Sequence, residues 1–174
     1  MPKERFGLIK LAGIEATVVG DDLRAGDKAP DFTVLKQDWS VVKGLRDSKR
    51  KVRIIAAMPS LDTPVCDRET RRFNEEASKL GKNIAILVVS ADLPYTQKRW
   101  CGASGVDQVT TYSDSLKTEF GKKYGCLIKE RRILRRAVFV VDRKRVIRYV
   151  AYMPTLGDEP NYEEVLAAAR DALK

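Results

Sequence analysis

Cysteines are the residues in this sequence with the most informative chemistry, because the chain contains three of them and no histidine. They are Cys66, Cys101 and Cys126, an odd number at wide spacing, which argues against the disulfide framework of a small secreted protein. Without histidine, serine–histidine and cysteine–histidine nucleophiles and imidazole ligation of a metal are excluded. A reactive cysteine in this chain must therefore be activated in another way. We also expect no metal and no organic cofactor.

The segment before Cys66 is typical of a turn that leads into a helix. Thr63 suits the N-cap position and Pro64 the first helical position, where a missing N–H costs nothing. Cys66 then falls in the first turn of a helix that we expect to continue to about Leu80. Free backbone N–H groups and the positive end of a helix favour a thiolate over a thiol, so this position can activate a cysteine without histidine.

Two patterns around Cys66 leave its role open. Nearby carboxylates oppose a thiolate and nearby guanidinium groups favour it; the residues are Asp62, Asp67, Arg68, Arg71 and Arg72. Cys66 also shares one helix face with four other residues, namely Thr70, Phe73, Ala77 and Leu80. Periodicity alone is therefore equally consistent with an inert cysteine buried in the core.

The remaining pattern predicts an α/β domain with a mixed sheet and an N-terminal β-hairpin. The predicted strands are residues 8–11, 17–19, 52–58, 84–89, 106–112, 137–141 and 146–151. A helix is expected from Pro94 to Cys101, with Asp92 as a possible cap and Gly102 as the stop. A final helix is expected after Asn161, with Glu164 in the capping-box position.

Length and composition indicate one soluble domain over residues 1–174. The 33 basic and 24 acidic residues give a formal charge of +9. The basic residues form short runs that lack interleaved aromatic residues and match no groove-reading motif; the runs are residues 49–51, 131–132, 135–136 and 143–145. We therefore interpret them as a solvated surface and expect no nucleic-acid partner.

No apolar stretch is long enough for a membrane span and the N-terminus lacks a signal-peptide pattern, so we expect a cytoplasmic protein.

Several stretches together carry a family resemblance. The pattern Pro59-x-x-x-Thr63-x-x-Cys66 matches the active-site motif of peroxiredoxins, and the longer string from Pro59 through Asn74 resembles their thiol peroxidase subgroup, an atypical two-cysteine class. Further matching stretches are residues 26–32, 90–94, 101–102 and 136–138. The resemblance covers nearly the whole chain and implies a thioredoxin-like, three-layer fold with an N-terminal hairpin extension.

The resemblance also implies roles for four residues in the reaction with peroxide. Cys66 would attack the peroxide and become a sulfenic acid. Thr63 would hydrogen-bond the thiolate and the peroxide, and Pro59 would shield the pocket from water. Arg136, chosen over Arg135 because it directly precedes Ala137-Val138, would stabilise the thiolate and the leaving oxygen.

The second cysteine and the partners follow from the same resemblance. Cys101 would resolve the sulfenic acid as an intrachain disulfide, which thioredoxin would reduce, and the protein would be a homodimer. Since both cysteines fall on predicted helices and a disulfide needs Cα atoms within about 7 Å, we expect local unwinding during turnover. Cys126 departs from the family pattern and is interpreted as a packing residue.

Two other functions stay open at this stage. In a peroxide sensor or redox relay, Cys66 would oxidise but pass the oxidation to a partner protein. A thioredoxin-fold binding module without redox chemistry is disfavoured by the joint presence of Thr63, Cys66, Cys101 and Arg136.

Overall fold

The computed structural model describes residues 1–174 and contains eleven strands and five helices. The strands are β1 (Glu4–Leu11), β2 (Ile14–Val19), β3 (Thr33–Leu35), β4 (Val41–Lys43), β5 (Val52–Ala57), β6 (Ile84–Ser90), β7 (Thr110–Ser113), β8 (Leu127–Ile128), β9 (Ile133–Leu134), β10 (Ala137–Val141) and β11 (Ile147–Tyr152). The helices are α1 (Gly44–Asp47), α2 (Pro64–Leu80), α3 (Pro94–Ser104), α4 (Glu119–Lys123) and α5 (Tyr162–Asp171). None of the helices is long and apolar enough to cross a membrane.

The central sheet has seven strands in the order β11-β10-β5-β6-β7-β3-β4. β5, β6 and β7 are parallel to one another, whereas the flanking strands pair antiparallel. This arrangement confirms the prediction of an α/β domain with a mixed sheet. It also places the carboxyl ends of β5 and β6 side by side, where the segments that follow both strands can meet.

Both faces of the sheet are covered, as expected for a strand such as β5, in which every residue is buried. Ile54 and Ala56 belong to the core beneath α2, α3 and α5, whereas Ile55 and Ala57 belong to the core beneath α1 and α4. The alternation follows from the two-residue repeat of a strand and produces the three layers. The core that contains Ile54 also contains Cys66 and Cys101.

The predicted N-terminal hairpin is confirmed, with longer strands than the sequence indicated. β1 and β2 pair antiparallel, and β8 and β9 extend the hairpin to a second sheet of four strands. Its apolar face includes Ile9, Val18 and Ile128, against which Leu156 packs. The hairpin therefore supports the loop between β11 and α5.

Several element boundaries and local interpretations were wrong. The N-cap of α3 is Leu93 rather than Asp92, and the helix passes Gly102 and ends at Gly105, which adopts the left-handed conformation that favours glycine. The strand predicted over residues 106–112 is β7, shorter and displaced toward its C-terminal end. The short elements β3, β4, α1, α4, β8 and β9 were not predicted, because two to five residues carry too little periodicity.

Candidate active site

Cys66 lies in the first turn of α2, directly after the turn that follows β5. Thr63 is the N-cap, and its Oγ1 accepts a hydrogen bond from the backbone N–H of Cys66 at 3.4 Å, while Pro64 opens the helix as the sequence predicted. In this structure the Thr63 hydroxyl donates to the carbonyl of Ser60 at 3.1 Å rather than to the sulfur. The helix end thus surrounds Cys66 with backbone dipoles that favour negative charge on the sulfur.

Strand pairing brings Arg136 to this sulfur. Ala137 at the start of β10 pairs with Ala57 at the end of β5, so Arg136 lies beside the point where the chain leaves β5 for α2. Its Nη2 donates to the Sγ of Cys66 at 3.0 Å, and both residues are almost completely buried. Nε and Nη2 also donate to the carbonyl of Leu156, at 3.2 and 3.0 Å, which fixes the plane of the guanidinium. A fixed, buried donor stabilises negative charge far better than a solvated one.

Glu69 is a candidate functional residue that the sequence analysis did not identify. It lies one helical turn after Cys66, is fully buried, and its Oε2 pairs with Nη1 of Arg136, while Oε1 has no hydrogen-bond partner. Burial raises the pKa of Glu69 to about 7, against the opposing pull of Arg136. For Arg136, burial lowers the pKa, but Glu69 and Cys66 outweigh it and the pKa is raised overall. One guanidinium thus serves two acidic groups. A glutamate on the apolar face of α2 was the signal that could have identified it.

The turn between β5 and α2 is held by Asp92, which follows β6. Its carboxylate accepts from the hydroxyl of Ser60 at 2.7 Å and from the backbone N–H of Leu61 at 2.9 Å. Pro59 is buried in the same turn. Asp92, predicted as a helix cap, instead fixes the segment that carries Thr63.

Cys101 lies on α3, facing the same core as Cys66 but with different polar neighbours. Burial raises the pKa of Cys101, although hydrogen bonds with Thr111 and Gln37 lower it in part. It also lines an open groove of about 750 Å³. The structure therefore brings Cys66, Thr63 and Arg136 together, whereas Cys101 is a separate free thiol with no disulfide to Cys66.

Access to Cys66 is restricted, because its side chain has no exposed surface. A cleft of about 410 Å³ lies just outside it, lined by Thr63, Pro64, Asp67 and Trp100 among others. A small substrate that enters this cleft reaches the residues that begin α2.

Cys126, predicted as a packing residue, and Arg135, the alternative to Arg136, both lie away from this site. Cys126 is fully buried, and burial raises its pKa to about 12, in keeping with the predicted packing role. Arg135 pairs with Asp22 and stacks on the ring of Tyr152, with its Cζ 4.0 Å from the ring centroid. Arg135 is buried, so the interpretation of the basic runs as a solvated surface was wrong for this residue. Arg136, expected at the site, and Arg53, which lies inside β5, are buried as well. Their charges meet carbonyl or carboxylate oxygens instead.

The chain is similar in sequence to known proteins over most of its length. It matches the Redoxin family over residues 24–166. It is 52% identical to the thiol peroxidase of Oceanobacillus iheyensis over 151 residues, which cover 87% of this chain and 91% of that protein. The thiol peroxidase of Bacillus subtilis is 48% identical over 166 residues, 95% of this chain and 98% of that protein.

Solved structures show the same fold. A peroxiredoxin-like protein from Aquifex aeolicus matches with a TM-score of 0.83 and 38% identity, over 94% of this chain and 96% of that one. A thiol peroxidase from Chromobacterium violaceum matches with a TM-score of 0.81 over 95% of this chain and 96% of that one, and at 20% identity it bears on the fold alone. The thioredoxin-like architecture expected from the sequence is thereby confirmed.

Proposed function

The chain belongs to the thiol peroxidases of the redoxin family, and we propose that Cys66 is its peroxide-attacking thiol and Cys101 its resolving thiol. Peroxide reduction is the activity of the group. The observation that carries the proposal is the hydrogen bond of 3.0 Å from buried Arg136 to the sulfur of Cys66 at a capped helix start.

In the first step, the Cys66 thiolate attacks the nearer oxygen of the peroxide. The S–O bond forms as the O–O bond breaks, the sulfur is oxidised to a sulfenic acid, and the other oxygen leaves as an alcohol or water after taking up a proton. Negative charge moves from sulfur to the leaving oxygen, and Arg136 stays within reach of both ends of that transfer. For Thr63 to assist, its hydroxyl must turn from the Ser60 carbonyl toward the substrate, a rotation of a single bond.

In the second step, the sulfur of Cys101 attacks the sulfenic acid, releases water and leaves a Cys66–Cys101 disulfide. The different environments of the two thiols support these separate roles, peroxide attack by Cys66 and resolution by Cys101. Cys66 has a guanidinium donor, whereas burial raises the pKa of Cys101, so peroxide reacts first at Cys66.

An external dithiol then reduces the disulfide, and we propose a thioredoxin for this role. The groove that Cys101 lines is wide and open, which supports access by a protein thiol. A cytoplasmic location suits this cycle, because the compartment maintains reduced thioredoxin. We also propose that the protein is a homodimer. The exposed side chains of Trp39 and Tyr95, with ring centroids 5.1 Å apart, offer apolar surface for a contact between two copies. Sedimentation equilibrium measures the oligomeric state directly.

The assignment is tested by peroxide consumption coupled to thioredoxin and its reductase. Cys66→Ser is expected to abolish turnover, and Cys101→Ser to stop it after one equivalent with a sulfenic acid on Cys66. Cys126→Ser serves as the matched control, since that thiol is buried in the other core. Full activity of Cys66→Ser would overturn the proposal. A mixed disulfide with another protein, in place of turnover with thioredoxin, would favour the redox relay.

A further inference from the structure

The two helices that carry the reactive cysteines are joined by a contact immediately beside both thiols. Asp67 follows Cys66 on α2, and Trp100 precedes Cys101 on α3. The indole Nε1 of Trp100 donates to Oδ1 of Asp67 at 3.1 Å. Trp100 is only 8% exposed, so this bond is shielded from competing water.

Arg71 strengthens the same connection. Its Nε donates to Oδ2 of Asp67 at 2.8 Å, and its Nη1 and Nη2 donate to the carbonyl and the hydroxyl of Ser104 at 3.3 and 3.1 Å. Its Cζ also lies 5.7 Å from the ring centroid of Trp100, within cation–π range. We call Asp67, Arg71, Trp100 and Ser104 the interhelical latch. Two of its residues belong to each helix.

The latch opposes the disulfide step of the proposed cycle. Arg136 on one side holds the sulfur of Cys66, while Cys101 lies in a groove on another side that Gln37 and Thr111 also line. A disulfide requires Cβ atoms about 4 Å apart, and the two cysteines are free thiols on separate helices, so we expect at least one of the two segments to move when the bond forms. The indole of Trp100 extends between the helices to Asp67, and any unwinding around Cys66 or Cys101 pulls on that bond.

We propose that the interhelical latch sets how fast Cys101 resolves the sulfenic acid on Cys66, and thereby how often a second peroxide oxidises it further. This inference rests on the proposed function. The competing reaction is oxidation of the sulfenic acid by another peroxide molecule, which adds one oxygen to give the sulfinic acid and releases an alcohol or water. A tight latch prolongs the life of the sulfenic acid and exposes it to that reaction. The latch residues are positioning residues, since none of them touches the sulfur.

Arg71→Met tests the latch. Methionine retains an aliphatic stem like that of arginine but has no guanidinium to donate to Asp67 and Ser104. Ser104→Ala is a milder second variant. The matched control is Arg72→Met on the same helix, since Arg72 pairs with Glu76 and Glu163 and stacks on Tyr162, with no hydrogen bond or ion pair to α3. Trp39→Phe in every variant leaves Trp100 as the only tryptophan and its fluorescence as the reporter of opening.

The measurements are the rate of disulfide formation after one equivalent of peroxide and the fraction of Cys66 sulfinate under excess peroxide. Arg71→Met is expected to resolve about fivefold faster, the equivalent of one ordinary hydrogen bond, and to form correspondingly less sulfinate. Ser104→Ala should shift both values in the same direction by less, and Arg72→Met should match the parent. Arg71→Met and Arg72→Met each remove one positive charge from the same turn of α2, so the rate of the first reaction with peroxide should change alike in these two variants and stay at the parent value in Ser104→Ala. A general folding defect would lower that rate in one variant only.

The outcomes separate this inference from the function on which it rests. If Arg71→Met and Ser104→Ala resolve at the parent rate or more slowly, with unchanged or increased sulfinate, the latch is overturned while the two-cysteine cycle stands. If the parent protein itself forms no Cys66–Cys101 disulfide, the proposed resolving step fails.

Discussion

The replacement Glu69→Gln tests whether the buried glutamate stabilises the fold or costs it stability. Glutamine has almost the same shape and its amide oxygen can still accept from Arg136, but it cannot ionise. It therefore resembles the protonated acid. The question matters because Glu69 and Cys66 share one guanidinium in a site closed to water.

The magnitude follows from the pKa of Glu69, which burial raises from 4.5 to about 7. Between these values the unfolded chain has released the proton while the folded chain retains it, so stability falls as the pH rises. The total cost above pH 7 is about 3 kcal/mol, and it is absent below the unfolded pKa, where both states are protonated. Because Glu69 has no exposed surface, solvent does not screen this cost.

Urea unfolding of the reduced protein at about pH 5 and about pH 8.5 measures the effect. We expect wild type and Glu69→Gln to be similar at the lower pH, and the variant to be more stable by up to about 3 kcal/mol at the higher pH. Glu75→Gln is the control, since Glu75 is exposed on the same helix and its replacement should change stability by less than about 0.5 kcal/mol.

The opposite sign would refute the reasoning. If Glu69 acts as the stabilising half of a buried ion pair, removing its charge leaves Arg136 without its carboxylate, and the variant should lose about 3–5 kcal/mol at the higher pH. A stability difference that does not vary between the two pH values would also contradict the raised pKa.

Three further predictions concern the site and its frame. Arg136→Met should lower kcat/KM for peroxide by roughly 10²–10³, with Arg136→Lys intermediate because lysine keeps the charge but not the planar fork; an unchanged value would remove Arg136 from the reaction. Cys126→Ala should leave peroxidase activity intact, and in the native protein Cys126, whose pKa is raised to about 12, should resist alkylation until the chain unfolds. Gly20→Ala should lower the free energy of unfolding by at least about 2 kcal/mol, because its Cβ would lie 2.0 Å from the carbonyl oxygen of Lys122. Gly13→Ala is the control, with a positive φ but open space around its Cβ, and should cost about 1 kcal/mol.

Strong local signals made much of the fold predictable. The strand β10 is a continuous apolar run, β6 is apolar up to Ser90, and β5 is apolar except for Arg53. The helices α2 and α5 follow residues that cap helices. The Asn161 cap is present, with its side chain accepting from the N–H of Glu164 at 3.2 Å. The carboxylate of Glu164 instead accepts from the hydroxyl of Tyr149 at 3.1 Å, a partner from another element that no capping pattern indicates.

The site was predictable where chemistry depends on neighbours in the chain. The N-cap of Thr63, the helix opening at Pro64 and the place of Cys66 in the first turn all result from residues within four positions of one another. Such contacts form in any chain with this local sequence, because the orphan N–H groups of a helix start need partners wherever the helix lies.

Only the tertiary structure decided which distant groups meet the sulfur and which join the two helices. Arg136 reaches Cys66 through the register of β10 on β5, and Glu69 becomes significant only because α2 buries it against that arginine. Likewise the bond from Trp100 to Asp67 depends on how α3 packs beside α2. The sequence by itself determined that Cys66 lies in the first turn of a capped helix. The fold determined that Arg136 contacts the sulfur, that Glu69 pairs with the same guanidinium, and that Trp100 joins α3 to α2. These contacts depend on sheet register and helix packing, which the spacing of residues along the chain does not encode.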